Sequence, residues 1–264
     1  MAFLYETHLH TAGVSRCAVS GGADYIAAYI DKGYSGIMVT NHFFNGNTGI
    51  YRKLPWREWI NRFYSGYEEA KEEGERLGLD VFFGWEETFD FGDDYLVYGL
   101  DKDWLLEHPE MRMWSRGEQY RAVKEAGGCV VQAHPFRQRD YIAKVVLSTG
   151  CVDAVEAANC GNADASFDAL AFRYAKKIGK PMTAGSDIHN VSLVYSGDVF
   201  GVYLNEKLNG IDDYVKIILN GEIASLKTYE HRFDYYGDEK ISIPVEIRDE
   251  DDRTINKSWK EFIL

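Results

Sequence analysis

The chain has 264 residues and a mass of 30.1 kDa, which suits one large α/β domain or two small ones. Hydrophobic residues make up 45% and charged residues 27%, so the composition excludes a disordered or fibrous protein. The net charge of −13 disfavours stable binding to duplex nucleic acid or to an anionic membrane surface. The segment Met1–Glu6 has no basic region, and no apolar run has the length of a signal or a membrane span. We therefore expect a cytoplasmic protein that does not bind membranes.

Short apolar runs rich in β-branched residues alternate with longer segments of helical period. The predicted strands are Ala2–Glu6, Gly36–Thr40, Val81–Thr88, Tyr95–Leu100, Cys129–Ala133, Val152–Ala157, Pro181–Ala184 and Val199–Leu204. The predicted helices are Asp24–Lys32, Trp56–Leu77, Arg116–Ala126, Tyr141–Leu147, Ser166–Ile178 and Ile211–Leu219. Continuously apolar strands suit a parallel sheet covered on both faces. Seven or eight such strands with intervening helices favour a closed or nearly closed barrel over an open sheet.

This alternation of strands and helices ends near Ser225. Beyond it lie several aromatic residues, an alternating run over Ile241–Ile247 and an acidic cluster over Asp249–Asp252. We expect a barrel over residues 1–224 and a short C-terminal extension over residues 225–264. The extension is predicted to contain one or two strands and to pack on the barrel, with the acidic cluster as a solvated turn.

The four cysteines of the chain show no paired spacing. They are Cys17, Cys129, Cys151 and Cys160. The pattern indicates neither a thiolate zinc knuckle nor a disulfide framework.

Five of the seven histidines directly follow the C-terminal end of a predicted strand. They are His8, His10, His42, His134 and His189, whereas His108 and His231 lie elsewhere. In an α/β barrel these strand ends meet at one rim, where catalytic groups are built. His8 and His10 share one face of an extended chain and can approach one ion. Each motif alone fits a structural histidine as well, and it is their combination that indicates a site.

Carboxylates join the histidines at two of these strand ends. Glu86 and Glu87 end the third predicted strand, and alternation lets only one of them face inward; we expect Glu86 inside and Glu87 outside or in a salt bridge. Asp187 stands two residues before His189 and repeats the spacing of His8 and His10.

Five imidazoles and at least two carboxylates exceed the needs of a single ion, so we expect two or three divalent cations. Nitrogen and oxygen donors without thiolates suit zinc, manganese or iron. Adjacent cations of this kind suit a phosphoryl group.

The order of these motifs resembles the PHP (polymerase and histidinol phosphatase) family of metal-dependent phosphoesterases. The family's HxH, NH, GxE, HPxR and SDxH motifs are matched in order by His8/His10, His42, Glu86, His134 and Asp187/His189. The resemblance implies a distorted (β/α)7 TIM-like barrel with two or three divalent metal ions at its rim. It also implies that Glu86 bridges the ions and that a metal-bound hydroxide hydrolyses a small phosphomonoester.

The resemblance also implies the roles of individual residues. The expected metal ligands are His8, His10, His42, Glu86, Asp94, His134, Asp187 and His189. Asp94 stands where many members carry a histidine, and Ser15-Arg16-Cys17 stands where members with three metals carry a further histidine or aspartate. Both departures concern residues that would hold a third metal ion. Arg16 can place a fixed positive charge near that position in place of the ion.

Catalysis is assigned to Glu86, Asp187 and Arg137. Arg137 either contacts the phosphate in a bidentate manner or pairs with an acidic neighbour. Substrate binding is assigned to Arg137, Arg16 and Asn45, the last within the loop Phe43–Pro55, with Asp101–Gly117 as a second specificity loop.

The expected partner of this site is a small phosphorylated metabolite. A narrower hypothesis is a histidinol-phosphate phosphatase. Two alternatives from other classes are a non-catalytic metal-binding or regulatory protein, and a hydrolase of amides or lactones built on a related metal barrel.

Overall fold

The computed structural model describes residues 2–197, 199–235 and 240–263. Its strands are β1 Phe3–Leu9, β2 Gly36–Val39, β3 Asp80–Thr88, β4 Asp94–Tyr98, β5 Cys129–Gln132, β6 Val145–Ser148, β7 Ala154–Asn159, β8 Met182–Gly185, β9 Gly201–Leu204, β10 Ser225–Lys227, β11 Val245–Arg248 and β12 Thr254–Ile255. Its α-helices are α1 Asp24–Asp31, α2 Trp56–Leu77, α3 Lys102–Glu107, α4 Arg116–Glu125, α5 Ala165–Ile178, α6 Val191–Ser196, α7 Ile211–Asn220 and α8 Trp259–Ile263. A 3₁₀ helix covers Pro109–Met113.

Nine strands form one sheet in the order β10-β9-β1-β2-β3-β4-β5-β7-β8. The two ends of this sheet approach each other, since the backbone N–H of Asp187, just after β8, donates to the carbonyl of His8 in β1 at 2.8 Å. Leu9 and Ile188 also form a parallel bridge. The sheet is therefore a nearly closed barrel, which confirms the predicted distorted barrel fold.

The sheet is mixed rather than fully parallel. β1, β2 and β3 are parallel, as are β5, β7 and β8, but β4 runs antiparallel to both of its neighbours and β9 runs antiparallel to β1. Only residues 89–93 join β3 to β4, and a connection this short can form a hairpin but not a parallel crossover. The expectation of a parallel sheet is corrected at these two strands.

The predicted helix over Tyr141–Leu147 is wrong. Its second half forms β6, which pairs in parallel with β11 in a separate three-stranded sheet with β12. The pairing partners lie about a hundred residues apart, so local periodicity could not show them. The partner strand β11 lies in the alternating run of the predicted extension, whereas β10 joins the main sheet beside β9. The boundary between residues 224 and 225 stays a prediction.

Helix α2 packs against the segment that follows β1. It buries Trp59, Ile60 and Phe63 against β3 and its neighbours. Gly66 on the same helix faces the end of β1, where any β-carbon would overlap Thr11 Oγ1. Glycine at this position therefore lets the helix backbone approach the segment that follows β1. No helix of the described residues is both long enough and apolar enough to cross a membrane.

Candidate metal centre

The ends of β1, β3 and β8 bring four donor side chains to one point. His8 and His10 are fully buried, and their Nε2 atoms lie 3.1 Å apart. His10 Nε2 lies 3.1 Å from Asp187 Oδ1, and His8 Nε2 lies 3.3 Å from Glu86 Oε1. Two imidazoles and two carboxylates at such distances form the donor set of a divalent metal centre.

A second group of donors lies beside the first. His134 Nε2 is 3.2 Å from Glu86 Oε1 and 3.9 Å from Asp94 Oδ2. The structure thus places the Asp94 carboxylate beside His134 and Glu86, and its role as a ligand stays a prediction. His134 has φ of +26° and Asp187 has φ of +54°, both unusual for side-chain-bearing residues. Such backbone strain is typical of residues held in place for function.

The third group consists of His10, His42 and His189, each with a ring nitrogen within 4.8 Å of the others. Together the three groups contain all eight predicted metal ligands, and Glu86 and His10 each belong to more than one set of contacts. Glu86 contacts a histidine of each group: His8, His134 and His42.

Two buried polar atoms test whether the centre fits metal ions. His42 Nδ1 and Glu86 Oε2 lie 2.6 Å apart, yet both are buried without an aligned hydrogen bond among the described residues. Unsatisfied buried polar atoms are costly, and a cation bound between the two atoms would satisfy both of them. The donor set fits a divalent cation.

Outer hydrogen bonds fix which nitrogen each histidine presents. His8 Nδ1 lies 3.0 Å from Glu156, and His189 Nδ1 lies 2.8 Å from the carbonyl of Asp187. Since a carbonyl and a carboxylate only accept, both histidines donate from Nδ1 and present the Nε2 lone pair. Ser15 Oγ donates to Asn41 and so accepts from His10 Nδ1 at 3.1 Å, with the same result.

Glu156 is the residue that sequence reasoning missed. It is 1% exposed, and besides contacting His8 it accepts from the backbone N–H of His134 at 3.0 Å and from Asn159 Nδ2 at 2.8 Å. It lies inside the predicted strand Val152–Ala157 as a charge in an apolar run, which is the pattern that identified Glu86. That pattern could have found it.

Arg137 is buried, and three of its nitrogens are engaged within the protein. Nη1 donates to Asp187, Nη2 donates to Asn159 at 2.6 Å, and Nε donates to Asn162 at 2.9 Å. Arg137 thus has the acidic partner that was one of its two predicted roles, while its contact with phosphate stays a prediction.

Burial raises the pKa of each acid in the centre, and neighbouring charges then lower the pKa of two acids and raise that of the third. The charges of His42 and His8 outweigh burial and hold the pKa of Glu86 well below its usual range. Arg137 and His8 do the same for Asp187. Burial and the nearby charge of Glu86 raise the pKa of Asp94 well above its usual value.

A cavity of about 710 Å³ opens above the centre. It is lined by metal-centre residues and by Cys17, Asn45, Arg139 and Tyr141, among others. Arg16 is exposed and does not line this cavity, so its assignment to substrate binding stays a prediction without support from the cavity. The volume suits a small molecule rather than a polymer.

Comparisons with known proteins support the fold. The chain matches no protein-family model and no curated protein. It is similar to a two-domain protein from Bacteroides vulgatus described as containing a predicted PHP-like metal-dependent phosphoesterase, with 15% identity and a TM-score of 0.62. The alignment covers 87% of this chain and 65% of that one, so this chain spans slightly less than two thirds of its neighbour's length. It is also similar to PsfC from Pseudomonas syringae, with 15% identity, a TM-score of 0.51 and coverage of 88% and 94%.

The similarity confirms the resemblance to PHP-like proteins at the level of fold. This chain has a PHP-like, TIM-type α/β barrel, with a cluster of metal donors at its rim. At 15% identity the comparison establishes the fold alone, and the activity has to be argued from the site.

Proposed function

We propose that this protein is a metal-dependent phosphoesterase that hydrolyses a small phosphomonoester. The observation that carries the proposal is the convergence of five imidazoles and three carboxylates at the barrel rim, below a cavity of about 710 Å³. Such a donor set, rich in nitrogen and oxygen, suits two or three ions of zinc, manganese or iron.

The ions would be held by the three donor groups described above, with Glu86 shared between them. When bound, divalent cations at such a centre neutralise the phosphoryl oxygens and make water a stronger nucleophile at neutral pH. This chemistry matches a phosphate monoester, which brings two negative charges to the site.

The protein's own residues orient these donors. Glu156 fixes the His8 ring with Nε2 toward the centre, and Ser15 does the same for His10. Arg137 holds Asp187 from the side opposite the histidines. Preorganised ligands of this kind reduce the reorganisation that metal binding and catalysis require.

The substrate would lie in the cavity above the donors. Arg139, Tyr141 and Asn45 line this cavity with exposed polar groups that could contact it. The net charge of −13 disfavours a long polyanion, so a small phosphorylated metabolite is the proposed substrate class.

The test combines elemental analysis with phosphate release. Protein purified without chelator is expected to carry two or three equivalents of transition metal and to release phosphate from a panel that includes histidinol phosphate and a nucleoside monophosphate. His10→Ala and Asp187→Ala should lose both metal and activity. His231→Ala is the matched control, because that histidine is exposed, belongs to none of the donor groups and does not line the cavity.

Three results would contradict the proposal. Less than one metal equivalent, with no turnover after zinc or manganese is added, would exclude the metal centre. Full metal occupancy without hydrolysis across the panel would favour a non-catalytic binding protein. Ester or amide turnover that inorganic phosphate does not inhibit would favour an amide or lactone hydrolase. Preference for histidinol phosphate within an active panel would select the narrower phosphatase hypothesis.

A further inference from the structure

Arg232 belongs to the predicted C-terminal extension, and its side chain reaches the end of β7 and the loop that follows it. Its Nε donates to Asp168 Oδ2 on α5 at 2.6 Å. Its Nη2 donates to the backbone carbonyl of Asn162 at 3.0 Å and lies 3.5 Å from the carbonyl of Asn159. The side chain of Arg232 is 10% exposed and that of Asp168 is 1% exposed. The extension thus contributes a largely buried cation to the two asparagines that engage Arg137.

Aromatic contacts on both sides fix the segment that carries Arg232. The ring of Phe233 stacks on Phe172 of α5, with the ring centroids 4.6 Å apart. Tyr229 packs edge to face on Phe200, with the ring centroids 5.0 Å apart. The Arg232 guanidinium itself lies 5.6 Å from the centroid of the Phe200 ring. Its position is therefore built by packing against the barrel.

Asp168 passes the orientation on to the next side chain. Its Oδ1 accepts from Asn162 Nδ2 at 2.6 Å. Because a carboxylate only accepts, the amide nitrogen of Asn162 faces Asp168, and the amide oxygen is left to accept from Arg137 Nε at 2.9 Å. Burial raises the pKa of Asp168 to about 6, and the charge of Arg232 opposes this rise. Arg232 thus helps to keep Asp168 ionised at neutral pH.

Arg137 then contacts a predicted metal ligand. Its Nη1 donates to Asp187 Oδ2. The other carboxylate oxygen, Asp187 Oδ1, lies 3.1 Å from His10 Nε2 and 3.5 Å from His8 Nε2. Because Arg137 occupies Oδ2, Oδ1 is the oxygen directed at the donor group. A continuous row of hydrogen bonds therefore runs from the predicted extension to the metal centre.

We propose that Arg232 is a positioning residue of the metal centre, which orients Asp187 through Asp168, Asn162 and Arg137. The proposal rests on the metal centre of the proposed function. Arg232 does not line the cavity above the centre, so it acts through Arg137 and not on the substrate. Outer partners that hold metal ligands in place typically contribute 10–100-fold to metal affinity. The predicted extension is thus a functional part of the site as well as a packing element.

Zinc titration of the metal-depleted protein tests this role. Arg232→Met removes the charge and the hydrogen bonds, and zinc affinity should fall about tenfold, the lower end of the range for outer partners. Bound cobalt(II), whose visible absorption reports the geometry of its ligands, should show an altered band. Arg232→Lys keeps the charge without the guanidinium geometry and should recover part of the affinity. Arg253→Ala should keep both properties and is the matched control, because Arg253 is an exposed arginine of the same predicted extension.

A double-mutant cycle separates positioning from a general loss of stability. In Arg137→Met the row of hydrogen bonds is already broken, so adding Arg232→Met should weaken zinc binding by less than about twofold. Equal losses in the two backgrounds, or wild-type zinc affinity and cobalt absorption in Arg232→Met, would overturn the positioning role while leaving the metal centre in place. Should Arg232→Met fail to fold, Arg232→Lys decides by the same cycle. A wild-type protein that binds no metal would instead overturn the proposed function, and this inference with it.

Discussion

Glu87 is a buried acid whose replacement by glutamine should change the pH dependence of stability. It follows Glu86 on β3, so alternation places it on the opposite face of the strand, the face shared by Trp85. The side chain is 1% exposed, and neither carboxyl oxygen has an aligned hydrogen bond among the described residues. Burial raises the pKa of Glu87 to about 8, although contacts with Asn45 oppose the rise. Glu87 lies on the strand face away from Glu86, which was the face expected to be outside, but this face is buried as well, and no described cation pairs with Glu87 in a salt bridge.

The sign and size of the effect follow from the two pKa values. The folded pKa is higher than the unfolded value of 4.5, so the native state binds the proton more tightly. This contribution to stability is fully present below pH 4.5 and is lost as the pH rises through about 8. Each pH unit within that interval costs the native state about 1.4 kcal/mol. The total loss is on the order of 3–5 kcal/mol, as an upper range for a buried carboxyl.

Glu87→Gln replaces the titratable carboxyl group with a neutral amide and keeps the shape of the side chain. We expect the variant and the wild type to have similar free energies of unfolding near pH 4.5, and the variant to be more stable by a few kcal/mol near pH 9. Urea unfolding of chelator-treated protein at intervals from pH 4.5 to 9 measures the difference, in which the contributions of other titrating groups cancel. A difference that stays constant across this range would refute the assignment of a raised pKa to Glu87.

Two further substitutions test the residues that orient the donors. Glu156→Gln should weaken metal binding 10–100-fold without unfolding the barrel, because a neutral amide stabilises the Nδ1–H of His8 less than a carboxylate does. Isothermal titration with zinc measures the affinity. An unchanged affinity would show that Glu156 does not tune His8 as a ligand. Arg137→Lys should lower kcat more than it raises KM, because lysine cannot hold Asp187, Asn159 and Asn162 at once. A change in KM alone would instead support direct binding of the phosphate by Arg137.

The barrel and most of the metal centre could be predicted because their patterns are local. Helix α2 begins and ends where periodicity placed it, at Trp56 and Leu77. The predicted ligands were recognisable because strand ends of an α/β barrel meet at one rim. A histidine that follows an apolar run therefore carries information about its position in space.

The features that escaped prediction depend on contacts between distant segments. β6 needs β11 as its partner, and β4 is antiparallel because of the hairpin that joins it to β3. The engagement of Arg137 by Asn159 and Asn162 also depends on the end of β7 reaching the HPxR motif. Periodicity within one segment cannot show any of these contacts.

The neighbouring acids Glu86 and Glu87 have pKa values that are shifted in opposite directions. Both are buried, but histidine charges hold the pKa of Glu86 well below its usual range, after outweighing burial, whereas burial raises that of Glu87. Glu86→Gln should therefore lose at least one metal equivalent and phosphatase turnover, because the neutral amide cannot serve the ions that share it. Glu87→Gln should keep its metal and its turnover, which makes it a matched control one residue away. Elemental analysis and phosphate release measure both outcomes in the two variants. Equal loss of metal in the two variants would show that Glu86 is not a metal ligand distinct from the structural acid Glu87.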